Sequence, residues 1–267
     1  FCSLRQYSGT LSAAAAIMKT EADFVKTLKE RTAPGIERYM DTQRTPAAYS
    51  SHVIGSTYSG RNYMDNCLLG TDFVELYLTT GNKYWLDKAE KLWLFVEKGI
   101  DNLLDGGVYS SEQKKVSKDA GANAAGAVFA AGLYMATDNQ DYLDWAKGLY
   151  VWNREKLADT EGMGYFDSMK LTGEIEKKKS IENNGLMVQA GAVLFKLTGR
   201  KEYLEDARKT AQFCHSQYFT TIRDDKGKEF RIPVPGNASS YALLLRGLTG
   251  LYDLDGNPTY MNDMRKS

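Results

Sequence analysis

Thr80-Gly-Asn-Lys-Tyr84-Trp-Leu-Asp-Lys-Ala89 is the stretch that decides the fold, because it recurs along the chain. It returns, shifted by an insertion, as Thr137-Asp-Asn-Gln-Asp-Tyr142-Leu-Asp-Trp-Ala146 and again as Thr198-Gly-Arg-Lys-Glu-Tyr203-Leu-Glu-Asp-Ala207, with a weak copy near residue 255. The tyrosines of the copies lie 58, 61 and 57 residues apart: Tyr84, Tyr142, Tyr203 and Tyr260. A fixed period of this length indicates repeated supersecondary units.

Each copy marks the turn of a helical hairpin. Gly81 and Gly199 suit the left-handed position that ends a helix, and a polar residue then opens the next one. Segments before the turns are apolar nearly all round and rich in glycine and alanine, which predicts buried helices over Tyr63–Thr80, Ala120–Thr137, Asn183–Thr198 and Ser239–Leu254. Segments after the turns are amphipathic, which predicts outer helices over Tyr84–Lys98, Tyr142–Leu157 and Tyr203–Tyr218. The repeat tyrosines are expected to pack back across each turn.

Alternating buried and amphipathic helices predict an all-α fold, an (α/α)6 toroid with an inner and an outer ring, as one domain over residues 1–267. Three full hairpins, a fourth cut off near Ser267 and an N-terminal helix around Leu11–Arg31 fall short of a closed ring of six. Strand is expected only in short hairpins, such as that around Asp224–Arg231, where an Asp-Asp-Lys-Gly turn is flanked by Ile222 and Phe230.

The composition is that of an ordinary globular protein. Lysines and arginines number 34 against 34 acidic residues, so the charge gives no reason to expect nucleic acid as a partner. No apolar run approaches the ~18 residues that span a bilayer. The cysteines are odd in number and lack metal-type spacing, so we expect neither a disulfide framework nor a metal or other cofactor.

The N-terminal ends of the inner helices meet at one mouth of such a ring. Asn66, Asn123 and Asn184 share one register there, which favours capping or links between helix ends. One position earlier, Asp65 is a carboxylate where the other repeats have neutral residues: Ala122, Asn183 and Ser240. Asp65 is therefore the candidate functional residue of the mouth, with a simple helix cap as the alternative.

The stretch Tyr63-Met-Asp-Asn-Cys-Leu-Leu-Gly70, with Thr80-Gly81 after it, resembles the signature of family 76 glycoside hydrolases. Further similar segments follow in order as far as Tyr218: Gly106-Gly107-Val108-Tyr109, Leu133-Tyr134, Tyr142-Leu-Asp-Trp-Ala146, Gly164-Tyr165-Phe-Asp167 and Asn183-Asn-Gly185. The resemblance implies an (α/α)6 fold and action on α-1,6-mannan. It also implies retaining hydrolysis by two adjacent aspartates, the first as nucleophile and the second as acid/base, ~5–5.5 Å apart.

This sequence departs from that pattern at the pair itself. Alignment on Gly70 puts Met64 at the nucleophile and Asp65 at the acid/base, whereas a slide by one puts Asp65 first and Asn66 second. In either register one carboxylate is missing, and neither a thioether nor an amide replaces it. Hydrolysis is therefore expected to be impaired or lost.

The functional prediction is a family 76-like protein that acts on or binds α-mannan-type oligosaccharide or polysaccharide. It is expected to be monomeric and extracytoplasmic, at the cell surface, in the periplasm or secreted. Asp65 is the candidate catalytic residue. The candidate substrate-binding residues are Tyr63, Asn66, Asp119, Asn123, Asp167, Asn183, Asn184 and Tyr241.

Other functions stay open at this point. A working retaining glycosidase would need a second carboxylate beside Asp65; Asp119, Asp167 and Glu182 lie near the mouth, although a role in hydrogen bonding or sugar binding is favoured for each. A non-catalytic helical scaffold is also compatible with the repeat. Sugar 2-epimerases need paired histidines, and neither His52 nor His215 opens an inner helix. A zinc site at Cys214-His215 with Cys67 lacks the glycine-rich surroundings of such sites.

Overall fold

The computed structural model describes residues 2–21, 23–56 and 60–260, and helices dominate this part of the chain. The helices are α1 (Leu4–Met18), α2 (Phe24–Thr27), a π-helical turn (Leu28–Thr32), α3 (Ala33–Glu37), α4 (Tyr63–Thr80), α5 (Lys83–Glu97), a 3-10 turn (Leu103–Asp105), α6 (Ala120–Thr137), α7 (Gln140–Lys156), α8 (Ile181–Thr198), α9 (Lys201–Tyr218) and α10 (Ala238–Asp255). The strands are β1 (Met40–Asp41), β2 (Ala48–Tyr49), β3 (Ser117–Asp119), β4 (Ser168–Lys170), β5 (Ile175–Glu176), β6 (Phe219–Arg223) and β7 (Glu229–Pro233).

The inner wall is formed by α1, α4, α6, α8 and α10, each packed on the next in that order. The outer helices α5, α7 and α9 each return along the inner helix that precedes them. Burial follows the predicted alternation, because α6 buries 13 of its 18 residues and α7 buries 6 of its 17. The prediction of an all-α toroid with alternating inner and outer helices is confirmed.

Two helix predictions differ from the structure. The expected N-terminal helix over 11–31 is two pieces, since α1 ends at Met18 and α2 begins only at Phe24. The predicted inner helix α10 is no more buried than α9, because it packs on α8 on one side and makes little contact with α1 on the other.

Tyr84 is not the core residue that the repeat suggested. It is 47% exposed, and its neighbour Trp85 is the buried residue at this turn. Counted from the helix caps Asn82 and Asn139, Trp85 and Tyr142 occupy the same position, because the residue inserted in the second repeat lies between its cap and Tyr142.

The strands form small antiparallel units. Strands β3, β4 and β5 make a three-stranded sheet beside the mouth, and β1–β2 and β6–β7 are two-stranded. The hairpin predicted around residues 224–231 is β6–β7, with Ile222 paired to Phe230. No sheet in the described residues has four strands, as expected. No described helix has the length and apolar character that a transmembrane span requires.

Close approach of the inner helices explains part of their glycine content. A β-carbon at Gly185 of α8 would lie 2.6 Å from the Cα and 2.8 Å from the N of Leu244 in α10. We therefore expect Gly185→Ala to lower the free energy of unfolding by about 2–3 kcal/mol, because backbone atoms cannot rotate away as a side chain can. Urea denaturation of the purified variant measures the change.

The matched control is Gly9→Ala in α1, where an added β-carbon would meet nothing within 4 Å. Alanine favours a helix interior over glycine by up to ~1 kcal/mol, so this variant should be as stable as the parent chain or slightly more so. Equal losses in both variants would contradict close packing at Gly185.

Candidate functional site

The mouth of the ring is built by capped helix starts. Asn62, Asp119, Ser180 and Asn237 precede α4, α6, α8 and α10, and each side chain accepts a hydrogen bond from a backbone N–H of its helix. The caps put the inner helices in a common register, and they leave the positive helix ends facing the mouth.

The three in-register asparagines hold loops to these helix starts. Asn123 Oδ1 accepts from the Val108 N–H at 2.9 Å, and its Nδ2 donates to the carbonyl of the cap residue Asp119 at 2.8 Å. Asn66 and Asn184 make the equivalent bonds to Tyr49 and Tyr165, and all three side chains are fully buried. The structure therefore gives these candidate sugar-binding residues a structural role, because none of them reaches solvent.

Asp65 lies in a pocket of about 420 Å³ at the mouth and is 5% exposed. Its Oδ1 accepts from Arg5 Nε at 2.8 Å, and its Oδ2 accepts from Ser51 Oγ at 2.8 Å. Arg5 Nη1 also donates to both carboxylate oxygens of Glu182 at 3.0 Å. One guanidinium thus joins a carboxylate of α4 to a carboxylate of α8.

This arrangement fixes the electrostatics of the pocket. Burial works to lower the pKa of Arg5, but the charges of Asp65 and Glu182 outweigh it and raise that pKa. Arg5 therefore stays charged, and Arg61, the other arginine that lines the pocket, pairs with Glu112. The pocket thus offers hydrogen-bond acceptors and cations that are already paired, an environment that suits a neutral ligand rich in hydroxyl groups.

Met64 lies beside this pocket, against Gly121 and Asn183. A β-carbon at Gly121 would be 2.4 Å from Asn183 Oδ1 and 2.8 Å from Met64 Sδ, so these residues meet where α4, α6 and α8 begin. Asn183 Nδ2 donates to Asp167 Oδ1 at 2.9 Å. The pKa values of Asp167 and of nearby Asp119 are both raised, chiefly by burial.

The two tyrosines among the candidate substrate-binding residues, Tyr63 and Tyr241, do not line the mouth pocket. Tyr63 is buried and stacks on Phe95, with ring centroids 4.6 Å apart. The Tyr241 hydroxyl lies 2.8 Å from the carbonyl oxygens of both Tyr218 and Val234 and shares its one proton between them, which ties α10 to the two ends of the β6–β7 hairpin. No tyrosine of the described residues lines the pocket.

Arg5 and Ser51, which bind the Asp65 carboxylate, are among the pocket residues that the sequence did not predict. Arg5 is 60 positions from Asp65 and 177 from Glu182 along the chain, so no local sequence pattern predicts these contacts. Within the part of the chain that the structure describes, no group of three or more His, Cys, Asp or Glu side chains could hold a metal ion.

A second polar cluster lies deeper along the inner wall. Asp72 of α4 is 2% exposed, accepts a hydrogen bond from Ser12 and pairs with Arg246 of α10 at 3.4 Å. Arg246 also pairs with Glu75. Burial and the Glu75 charge raise the pKa of Asp72 to about 7, although Arg246 opposes the shift.

This pKa predicts a pH dependence of stability. The folded chain holds the Asp72 proton up to about pH 7, whereas an ordinary aspartate releases it near 3.8, so the free energy of unfolding should fall as the pH rises between those values. Asp72→Asn is expected to flatten that slope, measured by urea denaturation from pH 4.5 to 7.5. The exposed control Asp87→Asn should leave the slope unchanged; a slope that Asp72→Asn does not alter would assign the dependence to another group.

Comparison with known proteins decides the family. The family model for glycosyl hydrolase family 76 matches residues 12–233. The chain belongs to glycoside hydrolase family 76. Curated protein sequences include none that matches it.

Solved structures agree with this family 76 assignment. A family 76 glycoside hydrolase (mannosidase) from Bacteroides thetaiotaomicron VPI-5482 is 29% identical, with a TM-score of 0.91 over 99% of this chain and 74% of its own. A family 76 glycoside hydrolase from a bovine strain of the same species is 28% identical, with a TM-score of 0.89 over 99% of this chain and 59% of its own. An inactive variant of an α-1,6-mannanase from Salegentibacter sp. HEL1_6, in complex with α-1,6-mannotriose, shares the fold at 22% identity and a TM-score of 0.76, over 97% of this chain and 74% of its own.

The family match and these structures confirm the resemblance to family 76 that the sequence shows over residues 63–218. Arg5 lies outside the residues that the family model matches. The match of the family model therefore does not extend to the Arg5 side of the bridge between Asp65 and Glu182.

Proposed function

We propose that this family 76 chain binds α-mannan-type oligosaccharide in the mouth pocket and that hydrolysis by an adjacent aspartate pair is lost. The observation that carries the proposal is that Asp65 has no adjacent carboxylate and is already hydrogen-bonded. Asp65 is the one carboxylate in the Met64-Asp65-Asn66 run, and both its oxygens already accept hydrogen bonds from Arg5 and Ser51.

The surroundings of its two neighbours support the register in which Met64 takes the nucleophile's place. Asn66 holds the Tyr49 loop through bonds that Asn123 and Asn184 repeat in their own hairpins, so it belongs to the framework. Met64, in contrast, faces Asn183 across Gly121 at the mouth. A thioether there cannot form the covalent glycosyl-enzyme intermediate of a retaining hydrolase.

The ligand class follows from the pocket and the relatives. A pocket of about 420 Å³ with paired charges suits part of a neutral oligosaccharide. The Salegentibacter relative was solved with α-1,6-mannotriose bound. We extend that ligand to this chain, and with it an extracytoplasmic location, where a polysaccharide would be met.

Calorimetry with α-1,6-mannotetraose tests the proposal. Binding by the unchanged chain is expected, and Asp65→Ala should weaken it by about tenfold or more, because a charged acceptor for sugar hydroxyls is removed. Chromatography of the same mixtures should show no released mannose or shorter oligosaccharides. Turnover at the rate of an ordinary mannanase, abolished in Asp65→Asn, would overturn the loss of hydrolysis while leaving the ligand class standing.

A working glycosidase is the second candidate, and Glu182 is the observation that favours it. Counted from the caps Asn62 and Ser180, Glu182 occupies in α8 the position that Met64 occupies in α4. Arg5 holds it in the same pocket as Asp65. This candidate requires turnover that both Asp65→Asn and Glu182→Gln abolish, whereas the binding protein requires that neither variant has turnover to lose.

A further inference from the structure

A recess of about 480 Å³ lies on the outer surface around Trp145 of α7. The Trp145 indole is 36% exposed. It leans on buried Trp93, whose ring centroid is 6.4 Å away, and Trp93 Nε1 donates to Glu97 Oε1 at 2.8 Å. A large aromatic ring is thus held at the surface by a packed aromatic layer beneath it.

The other outer helices serve as internal controls for this surface. Six positions after the helix caps, α5 has Lys88 and α9 has Asp206, whereas α7 has Trp145. Lys88 and Asp206 are partly buried and engaged, since Lys88 pairs with Glu37 and Asp206 accepts hydrogen bonds from two tyrosine hydroxyls, whereas Trp145 is exposed. Nine positions after the caps the residues are Lys91, Lys209 and, in α7, Gly148. Charged residues are therefore replaced at both positions in α7, by an exposed indole and by a glycine.

No packing demand explains Gly148. An added β-carbon there would meet nothing within 4 Å, although glycine is unfavourable in a helix interior. Residues three apart are neighbours on a helix surface, so the missing side chain leaves the flank of the Trp145 indole open. The glycine keeps clear the space that a ligand on the indole would occupy.

The rim of the recess supplies hydrogen-bond acceptors. Its charged lining residues are the carboxylates Glu97, Asp141 and Asp144, and Asp144 pairs with Lys147 at 2.6 Å. Asn139 adds an amide. An apolar ring face with acceptors around it matches a sugar, whose C–H face is apolar and whose hydroxyls point outward, and the carboxylates disfavour an anionic ligand.

We propose that the Trp145 recess is a second carbohydrate-binding site, on which one ring of a neutral polysaccharide stacks. It lies apart from the mouth pocket, with no lining residue in common. A site of this kind would hold the chain on a polymer while the mouth engages a sugar.

Affinity electrophoresis in gels that contain α-1,6-mannan or dextran tests this site. The Asp65→Ala background weakens the mouth's contribution, so the retardation that remains reports mainly on the recess. In that background the protein should still be retarded by at least one neutral polymer, and adding Trp145→Ala should raise the apparent dissociation constant about tenfold or more. Gly148→Lys, which restores the residue of the other outer helices, should weaken retardation in the same way.

Leu94→Ala is the matched control, since Leu94 is 52% exposed on α5 and does not line the recess. It should leave retardation unchanged, and alginate, an anionic polymer, should retard none of the proteins. Retardation that Trp145→Ala leaves intact, or none in any neutral gel, would overturn the recess as a sugar site. Calorimetry with α-1,6-mannotetraose tests the mouth separately, and Trp145→Ala should bind this ligand as the unchanged chain does. If the unchanged chain does not bind it, the proposed function of the mouth fails, whatever the gels show for the recess.

Discussion

Met64→Asp is expected to give this chain hydrolysis of α-1,6-mannan, about 1,000-fold or more above the unchanged protein. The substitution places two aspartates in succession at the start of α4, where Asp65 already lies in the mouth pocket. Loss of a single catalytic carboxylate lowers kcat by ~10⁴-fold in other hydrolases. Restoring the missing carboxylate can therefore raise the rate of hydrolysis by a factor of similar size. Release of oligosaccharides from α-1,6-mannan, followed by chromatography, measures the gain.

Two variants of similar size control this result. Met64→Asn has the shape of the aspartate but no nucleophilic oxygen anion, so it should stay inactive. Asn66→Asp also creates adjacent aspartates, yet it should gain no activity, because Asn66 is fully buried and bound to the Tyr49 loop. Activity in Asn66→Asp but not in Met64→Asp would reverse the proposed correspondence of the pair.

The helices were predictable because their ends are set by local chemistry. The predicted bounds of α4 and α6 agree with the structure at both ends, where a polar cap precedes each helix and a left-handed residue, Gly81 or Asp138, follows it. The same locality misled at Tyr84. Tyr84 and Tyr142 match in sequence only across an inserted residue. The distance from the helix cap decides which side chain turns toward the core, and at this turn it is Trp85 and not Tyr84.

The candidate site was predictable only in part. Asp65 could be singled out because a charge in one repeat stands out against neutral residues in the others. Its partners could not, since Arg5 reaches it from α1 and joins it to Glu182 of α8 through contacts between residues far apart in the chain. The equivalent positions of Asn66, Asn123 and Asn184 could be recognised in the sequence. Which backbone groups their amides bind could not, because that depends on the path of the loops that pack against the helix starts.

Asn123→Asp is expected to be among the most destabilising single-atom changes in the chain. The Asn123 amide nitrogen faces the carbonyl oxygens of Asp119 and Val108, at 2.8 and 3.5 Å, and the side chain has no exposure to solvent. An oxygen in its place either repels those carbonyls or must be protonated at a cost. We expect the free energy of unfolding to fall by about 3–5 kcal/mol, roughly the loss seen when a buried polar network is broken.

Asn139→Asp separates this effect from the chemistry of the substitution. Asn139 caps α7 at an exposed turn through its Oδ1, which accepts from the Asp141 N–H at 3.0 Å, and an aspartate accepts the same bond. Its free energy of unfolding should therefore change by no more than ~0.5 kcal/mol. Thermal and urea denaturation of the two variants measure the contrast. If Asn123→Asp proved as mild as Asn139→Asp, the amide would not be what ties the loop at Val108 to α6, and the structural role given to all three asparagines would fail with it.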